Sequence, residues 1–152
     1  YYKPHGLNVT VTRSTNNYGP HQHTEKLIPR LLTNAYQGLD LPLYGDGSNI
    51  RDWLYVTDHC AAVDAVLRGG EIGEIYNVCA HNERTNLDIA RLVCKTAGVN
   101  EEKIVFTPDR KGHDKRYFVS DEKIRSELGW KPQTDFETGF TSTVDWYKNK
   151  SI

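Results

Sequence analysis

Two adjacent amides, Asn16 and Asn17, are the first residues of this sequence whose type and position could do chemistry. They belong to RSTNNYGP, residues 13 to 20, which directly follows the alternating run NVTVT. Two side-chain amides carry four N–H donors and two carbonyl acceptors, a high density of hydrogen-bonding groups for the tip of a strand that otherwise has a buried pattern. We therefore expect a polar ligand to lie over the end of this strand.

A second candidate is DRKGHDKRY, residues 109 to 117, in which two lysines, two arginines and one histidine surround a glycine. A guanidinium presents a planar fork of donors that suits phosphate oxygens, and histidine adds a donor whose charge responds to pH. The stretch therefore fits an anion-binding loop. It also fits a charged loop in solvent, and composition does not decide between the two.

Two single residues also allow both a structural and a ligand-binding interpretation. Arg51 stands just before the apolar run WLYV, where its charge must be paired or must reach water at a sheet edge. Asn82 lies in AHNERTN, between a predicted strand and a predicted helix. It is either an ordinary loop amide or a ligand contact.

The sequence predicts no metal site. His21 and His23 are two residues apart, but no carboxylate or thiol at ligand spacing accompanies them, so a loop is favoured. The three cysteines are far apart among apolar neighbours, which is typical of reduced core thiols. They are Cys60, Cys79 and Cys94.

The elements that must position these groups alternate between helix and strand patterns. Apolar residues at a 3.6-residue period predict helices over 24–37, 57–70, 86–97, 121–128 and 136–149. Runs with strand character cover 8–14, 41–44, 50–56, 74–79, 103–107 and 116–120. The helix over 57–70, with Thr57 or Asp58 as its N-cap, is expected to bury Ala61, Ala62, Ala65, Val66 and Leu67. This order predicts an α/β protein.

Composition narrows the possible partners. The chain has 152 residues, of which 38% are hydrophobic and 26% charged, and this is ordinary for one globular domain. Its net charge of −1 leaves no basic surface for nucleic acid. No apolar run approaches the roughly 20 residues of a membrane span, and residues 1–9 lack the apolar core of a signal peptide. We expect a cytoplasmic protein without nucleic-acid or membrane partners.

Six segments together carry a family resemblance: RSTNNYGP, EKLIP, YGDGSNIRDWLYVTDH, YNVCAHNERTN, DRKGHDKRY and DxxKIxxELGWKP. In this order they resemble the C-terminal half of the dTDP-glucose 4,6-dehydratases, within the extended short-chain dehydrogenase/reductase family. The resemblance covers practically the whole chain. It implies the last strands of the parallel sheet of a NAD(P)-binding Rossmann-like nucleotide-sugar enzyme, with its small substrate-binding domain. Residues 1–152 would then be the C-terminal substrate-binding portion.

The resemblance also implies roles for individual residues. Ser14 and Asn17 would meet the nicotinamide end of the cofactor NAD, while Asn16 would face the dTDP-sugar. The remaining substrate contacts fall into two groups. Those beside the nucleotide and its base are Lys26, Leu27, Pro42 and Tyr44, and those at the diphosphate and ribose are Arg51, Asn82, Arg110 and His113.

Features of this family that the chain lacks are equally informative. The family has a Gly-rich turn for NAD, a Tyr-x-x-x-Lys pair and an Asp-Glu pair, and no tyrosine here has a lysine four positions on. We expect a fragment without the N-terminal dinucleotide-binding part, beginning after a catalytic helix that Tyr1 and Tyr2 continue. It would hold no catalytic residue and would be inactive alone. The complete enzyme is expected to be a homodimer that oxidises the sugar at C4, eliminates water and returns the hydride to C6.

Two other hypotheses stay open at this point. Tyr-Gly-Pro and Leu-Gly-Trp-Lys-Pro also occur in epimerases and decarboxylases of the same superfamily, so a portion of a UDP-sugar enzyme is the second. The adjacent amides, HNER and DRxGHDxRY resemble the dehydratase branch in particular. A nucleotide-sugar binding module without catalytic activity is the third.

Overall fold

The computed structural model describes residues 2–150, in which strands and helices alternate. The strands are β1 (Val11–Ser14), β2 (Asn16–Tyr18), β3 (Leu41–Tyr44), β4 (Ile50–Tyr55), β5 (Ile75–Val78), β6 (Glu83–Thr85), β7 (Ile104–Thr107) and β8 (Arg116–Tyr117). The helices are α1 (Tyr2–His5), α2 (Leu27–Tyr36), α3 (Val56–Gly69), α4 (Asn86–Ala97), α5 (Glu122–Leu128) and α6 (Phe136–Lys150), with a 3-10 turn at Glu101–Lys103. The proposed role of Tyr1 lies outside the described residues. No helix within residues 2–150 has both the length and the apolar character needed to cross a membrane.

Parallel pairing dominates the sheets. It joins β1 to β5, β2 to β4 and β3 to β7. Strand β4 also pairs with β6 in antiparallel fashion and with β8 in parallel fashion. Parallel strands connected through helices are the defining arrangement of α/β proteins, so the predicted fold class is confirmed.

Strand β4 separates two hydrophobic cores, because successive residues of a strand point to opposite faces. Trp53 belongs to the first core, together with Tyr18 and residues of α2, α4 and α6. Leu54 belongs to the second core, with Tyr76 of β5 and residues of α3 and α5. Each large buried side chain contributes about 1.5–3 kcal/mol. Burial on both faces fixes the path of β4, and therefore the positions of the polar residues at its beginning.

The carboxylate of Asp52, in β4, is fully buried and fully hydrogen-bonded. It accepts hydrogen bonds from the Thr15 hydroxyl at 2.6 Å and from the backbone N–H groups of Ala80 at 2.8 Å and Asn82 at 2.5 Å. A buried carboxylate is costly unless such donors replace water, and hydrogen bonds to a charged group are stronger than neutral ones. Asp52 thus ties β4 to the β1–β2 junction and to the turn after β5.

Two short strands differ from the sequence prediction. Asn16 and Asn17 do not cap the end of a strand over 8–14; they lie in β2, whose backbone pairs with Trp53 and Leu54 of β4. Strand β6 was not predicted either. Each has three residues, too few for a period to be recognised, and each exists because β4 lies beside it.

Helix α3 also differs from its predicted form. Tyr55, and neither Thr57 nor Asp58, is its N-cap residue. Asp58 is buried and accepts a hydrogen bond from the backbone N–H of Thr134 at 2.9 Å. Asp58 shares the buried face of the helix with Ala62 and Val66, and Leu67 is 78% exposed. Ala61 is exposed as well, whereas Ala62 and Val66 are buried as predicted.

One of the three thiols and two element boundaries also differ from the sequence prediction. Cys79 and Cys94 are buried, but Cys60 is exposed on α3, so the core-thiol interpretation was wrong for that residue. Helix α2 begins at Leu27 instead of residue 24, and the strand predicted over 116–120 shortens to β8. These differences leave the order of the other predicted elements unchanged.

We predict that Asp52→Asn lowers the free energy of unfolding by about 3 kcal/mol, because an amide loses the charge and turns N–H groups toward N–H donors. Urea unfolding followed by circular dichroism measures this change. The matched control, Asp64→Asn, removes an exposed carboxylate of α3 and should change stability by less than about 0.5 kcal/mol. Equal stability of the two variants would contradict the role assigned to Asp52.

Candidate functional site

A groove of about 710 Å³ is lined by β2, β3, β4, the beginnings of α2 and α4, and the loop after β7. This volume falls within the range of small-molecule sites, about 300–1,000 Å³. Eight of the nine predicted substrate residues line it. They are Asn16, Lys26, Leu27, Pro42, Tyr44, Arg51, Arg110 and His113.

Positive charge predominates along this groove. Lys26, Arg30, Arg51 and Arg110 line it, and Glu25 is the carboxylate among its lining residues. A cleft lined mainly by one sign of charge concentrates its field and attracts ligands of the opposite sign. The groove is therefore suited to an anion.

Arg110 and Tyr44 form a flat stack at the groove. The guanidinium carbon of Arg110 lies 4.3 Å from the centre of the Tyr44 ring, a cation–π distance. The His113 ring meets Tyr44 edge-on, with 6.5 Å between ring centres. Aromatic faces accept stacked planar groups, and guanidinium donors match phosphate oxygens. The stack thus places an aromatic surface for a planar group beside hydrogen-bond donors for phosphate.

The loop that carries Arg110 is held to the sheet by hydrogen bonds. Arg51 donates to the carbonyl of Asp114 at 2.8 Å, and the Asn49 amide donates to the same carbonyl at 3.2 Å. Within the loop, the ring of His113 hydrogen-bonds the Asp109 carboxylate at 2.7 Å, and this contact is the main reason that the pKa of Asp109 lies below its usual value. The loop is therefore anchored, and the charge of Arg51 is used in part to anchor it.

Three predicted site residues lie outside this groove lining. Asn17 donates from Nδ2 to Ser14 Oγ at 3.1 Å, and its Oδ1 is buried without a hydrogen-bond partner within residues 2–150. Asn82 is engaged through its backbone, which donates to Asp52 and accepts from the N–H of Trp53. Ser14 and Asn17 thus form a separate polar pair, and Asn82 is not brought to the groove.

Other groove residues were not predicted from the sequence. They are Thr24, Glu25, Arg30, Trp53 and Asn86. Arg30 follows Lys26 at a spacing of four, which places both on one face of the chain entering α2, so helical spacing could have indicated it. Asn49, which anchors the loop through its side chain, gives no local sequence signal because its partners are more than 60 residues away.

Parallel strands connected through helices, with polar side chains gathered near strand ends, define an α/β protein, and the solved structures similar to it are of the Rossmann-like class. Within that class, the family model described as GDP-mannose 4,6 dehydratase matches residues 1–143, and the chain belongs to this family. The resemblance to nucleotide-sugar 4,6-dehydratases is thereby confirmed.

Individual relatives agree with this assignment. The dTDP-glucose 4,6-dehydratase of Streptomyces niveus is 47% identical over 98% of this chain and 44% of its own length. A dTDP-glucose 4,6-dehydratase structure from Streptomyces venezuelae, with NAD and TYD bound, has 45% identity and a TM-score of 0.96 over 98% of this chain and 46% of that one. The UDP-glucose 4-epimerase structure from Thermotoga maritima has 26% identity and a TM-score of 0.91 over 99% of this chain and 49% of that one. The chain spans about half the length of these proteins and is more similar to the dehydratases.

We predict that Asn49→Ala loosens the loop after β7, because the side-chain hydrogen bond to the Asp114 carbonyl is lost. Trypsin cleavage within residues 109–117 should become about tenfold faster, corresponding to about 1.4 kcal/mol. The control, Asn34→Ala, removes a comparable amide contact to the carbonyl of Asp40 elsewhere in the fold. If both variants are cleaved within the loop at the wild-type rate, Asn49 does not anchor it.

Proposed function

We propose that this chain is the nucleotide-sugar binding portion of an NAD-dependent dTDP-glucose 4,6-dehydratase, the enzyme that forms dTDP-4-keto-6-deoxy-glucose. The observation that supports this most strongly is the single cationic groove shared by eight residues whose family roles are all in substrate binding. Those residues come from distant parts of the sequence, so their convergence does not follow from local structure. Identity of 45–47% to proteins named for this activity points to the same substrate class.

The groove suggests an orientation for the ligand. The base would pack along Pro42 and the face of Tyr44, because an aromatic ring provides a flat apolar surface. The diphosphate would receive donors from Arg110, and the sugar would extend toward the Asn16 amide. In this orientation the cations meet the anionic part of the ligand, and the amide meets its hydroxyl groups.

Ser14 and Asn17 are proposed to contact NAD. The buried Oδ1 of Asn17 has no partner among the described residues and could accept a hydrogen bond from an amide N–H, the kind of donor that a nicotinamide carboxamide carries. The hydrogen bond to Ser14 orients the Asn17 amide so that this oxygen remains available. Bound NAD would supply hydride transfer, while these two residues would orient its nicotinamide ring.

The dinucleotide-binding part and the catalytic groups are proposed to come from sequence outside this chain. Residues 1–152 contain no Tyr-x-x-x-Lys pair, and within residues 2–150 no Gly-rich turn joins a strand to a helix. Within residues 2–150, β1 is paired with β5 alone, and Val11 and Ile75 on these strands are 46% and 39% exposed. An unpaired strand edge with apolar residues beside it is suited to extension by further strands.

Arg110→Ala should weaken dTDP binding by about 10- to 100-fold, because a charge-assisted contact of about 1.5–3 kcal/mol is lost. Isothermal titration calorimetry with dTDP measures this change. Arg110 is a sharper test than Arg51, whose removal would also release the loop. The control, Arg68→Ala, removes an exposed arginine on α3 and should leave affinity unchanged.

The same titration separates the dTDP-sugar hypothesis from the UDP-sugar hypothesis. Unchanged dTDP affinity in Arg110→Ala would restore the interpretation of residues 109–117 as a charged solvent loop. UDP binding far tighter than dTDP binding would favour the epimerase or decarboxylase hypothesis. Binding of dTDP that is tighter than or similar to UDP binding, and sensitive to Arg110, is the result that the proposal requires.

We predict that the isolated chain does not convert dTDP-glucose in the presence of NAD. Oxidation at C4 needs a positioned base, and dehydration needs both an acid and a base at C5 and C6. Incubation followed by mass spectrometry would detect the loss of one water. Product formed in proportion to chain concentration, in a preparation free of longer enzyme, would show that a catalytic set lies within these residues.

A further inference from the structure

A cluster of potential metal ligands lies apart from the groove, where the turn after β5 meets the beginning of α5. Cys79 and His81 come from that turn, and Asp121 is the N-cap residue of α5. His81 Nε2 lies 3.6 Å from Cys79 Sγ and 2.8 Å from Asp121 Oδ1. The three potential ligand atoms all lie within 4.8 Å of one another.

The geometry argues against a nucleophilic Cys–His–Asp relay. In such a relay one ring nitrogen faces the nucleophile and the other is bound by the carboxylate. Here the sulfur and the carboxylate oxygen both approach the same nitrogen, Nε2. Three ligand atoms that lie within 4.8 Å of one another instead match the spacing of ligands around a single ion.

We propose that Cys79, His81 and Asp121 form a binding site for one thiophilic divalent cation of the Zn²⁺ type. Thiolate, imidazole and carboxylate are all ligands of Zn²⁺, whereas a thiolate does not suit Mg²⁺ or Ca²⁺. With Zn–S near 2.3 Å and Zn–N near 2.0–2.1 Å, tetrahedral coordination separates the sulfur and nitrogen by about 3.6 Å. The observed separation of Cys79 and His81 has this value.

Asp121 needs a small adjustment to complete the site. Tetrahedral Zn²⁺ would separate its oxygen from the His81 nitrogen by about 3.3 Å, which is about half an ångström more than in the structure. Its second oxygen, Oδ2, accepts from Arg125 Nε at 2.6 Å. That contact can remain, because coordination through Oδ1 leaves Oδ2 with Arg125. Arg125 would then orient the carboxylate, as partners outside the ligand set do in known metal sites.

The site has a route to solvent and room for a fourth ligand. His81 has 46% of its side chain exposed, while that of Asp121 is 4% exposed. A cleft of about 610 Å³ borders His81 and Asp121, with Glu122, Arg125 and Ser126 as its other lining residues. A cation could enter from this cleft, and water could occupy the fourth position.

The local charges favour a cation at this point. Burial raises the pKa of Cys79 to about 12, and the negative charges of Asp121 and Asp52 add to the shift. The two carboxylates attract a metal ion, whereas the Arg125 guanidinium, which pairs with Asp121, opposes this attraction. On binding, the S–H bond breaks, the proton leaves to solvent, and a sulfur lone pair forms the bond to the metal. No oxidant or reductant is required.

Cobalt(II) titration of the untagged chain carrying Cys60→Ser tests the proposal. Cys60 is removed because it is an exposed thiol that could bind metal by itself. We expect a thiolate-to-cobalt charge-transfer band and the intense visible bands of tetrahedral cobalt, both saturating at one equivalent and both displaced by Zn²⁺. Absence of the charge-transfer band overturns the proposal. This result is obtained with the Cys60→Ser chain alone, so it does not require that a variant of a proposed ligand folds.

Substitutions of the proposed metal ligands in the Cys60→Ser chain show which residue produces the charge-transfer band. Cys79→Ser should abolish it and His81→Gln should weaken cobalt binding at least tenfold, whereas the control His23→Gln, at an exposed loop histidine, should not change it. A band that survives Cys79→Ser overturns the assignment. Zn²⁺ should also raise the Tm by several degrees, because it joins the turn after β5 to α5, and Mg²⁺ should not. An equal effect of both ions contradicts a thiolate site.

Discussion

The buried carboxylate of Asp52 is the interaction on which the other parts of this structure depend. It is an anion without access to water, so it is tolerated only while three donors from two other segments surround it. Those donors belong to Thr15, directly before the two amides, and to the turn that contains His81. One charge in β4 therefore positions both the polar beginning of β2 and the turn that carries Cys79 and His81. Hydrophobic burial stabilises these segments but does not by itself set their register.

Strand β4 extends this control to the groove. Because successive side chains of β4 point to opposite faces, Trp53 lies in one core and Leu54 in the other. The residues at the beginning of β4 face the loop after β7. Asn49 and Arg51 hold that loop by hydrogen bonds to Asp114, and the loop in turn presents Arg110 over Tyr44. The cationic surface is thus preorganised by contacts that lie beneath it. Such support reduces the ordering cost of binding an anionic ligand.

Local signals made part of the fold predictable. Helix α4 has the bounds that the apolar period over 86–97 predicted. Its ends carry strong local signals, because Thr85 and Asp88 form a capping box and Gly98 takes the left-handed conformation. Strands β2 and β6 were not predicted, because three residues carry no period and their pairing with β4 is long-range. Among the groove residues, Asn16, Arg51 and the loop over 109–117 were candidates from residue type alone. Lys26, Leu27, Pro42 and Tyr44 were assigned only through the family resemblance. The cluster at Cys79 and Asp121 was missed because about 40 residues separate its two segments and no spacing motif marks them.

The most direct test of this account is a residue-resolved map of where dTDP binds the chain. Two-dimensional ¹H–¹⁵N NMR with increasing dTDP should shift the signals of β3, the beginning of α2 and residues 109–115, with the Arg110 side chain among the largest changes. Signals near His81 and Asp121 should stay in place. Shifts confined to that second region, or no saturable shift along the groove, would contradict the claim that this groove is a nucleotide site.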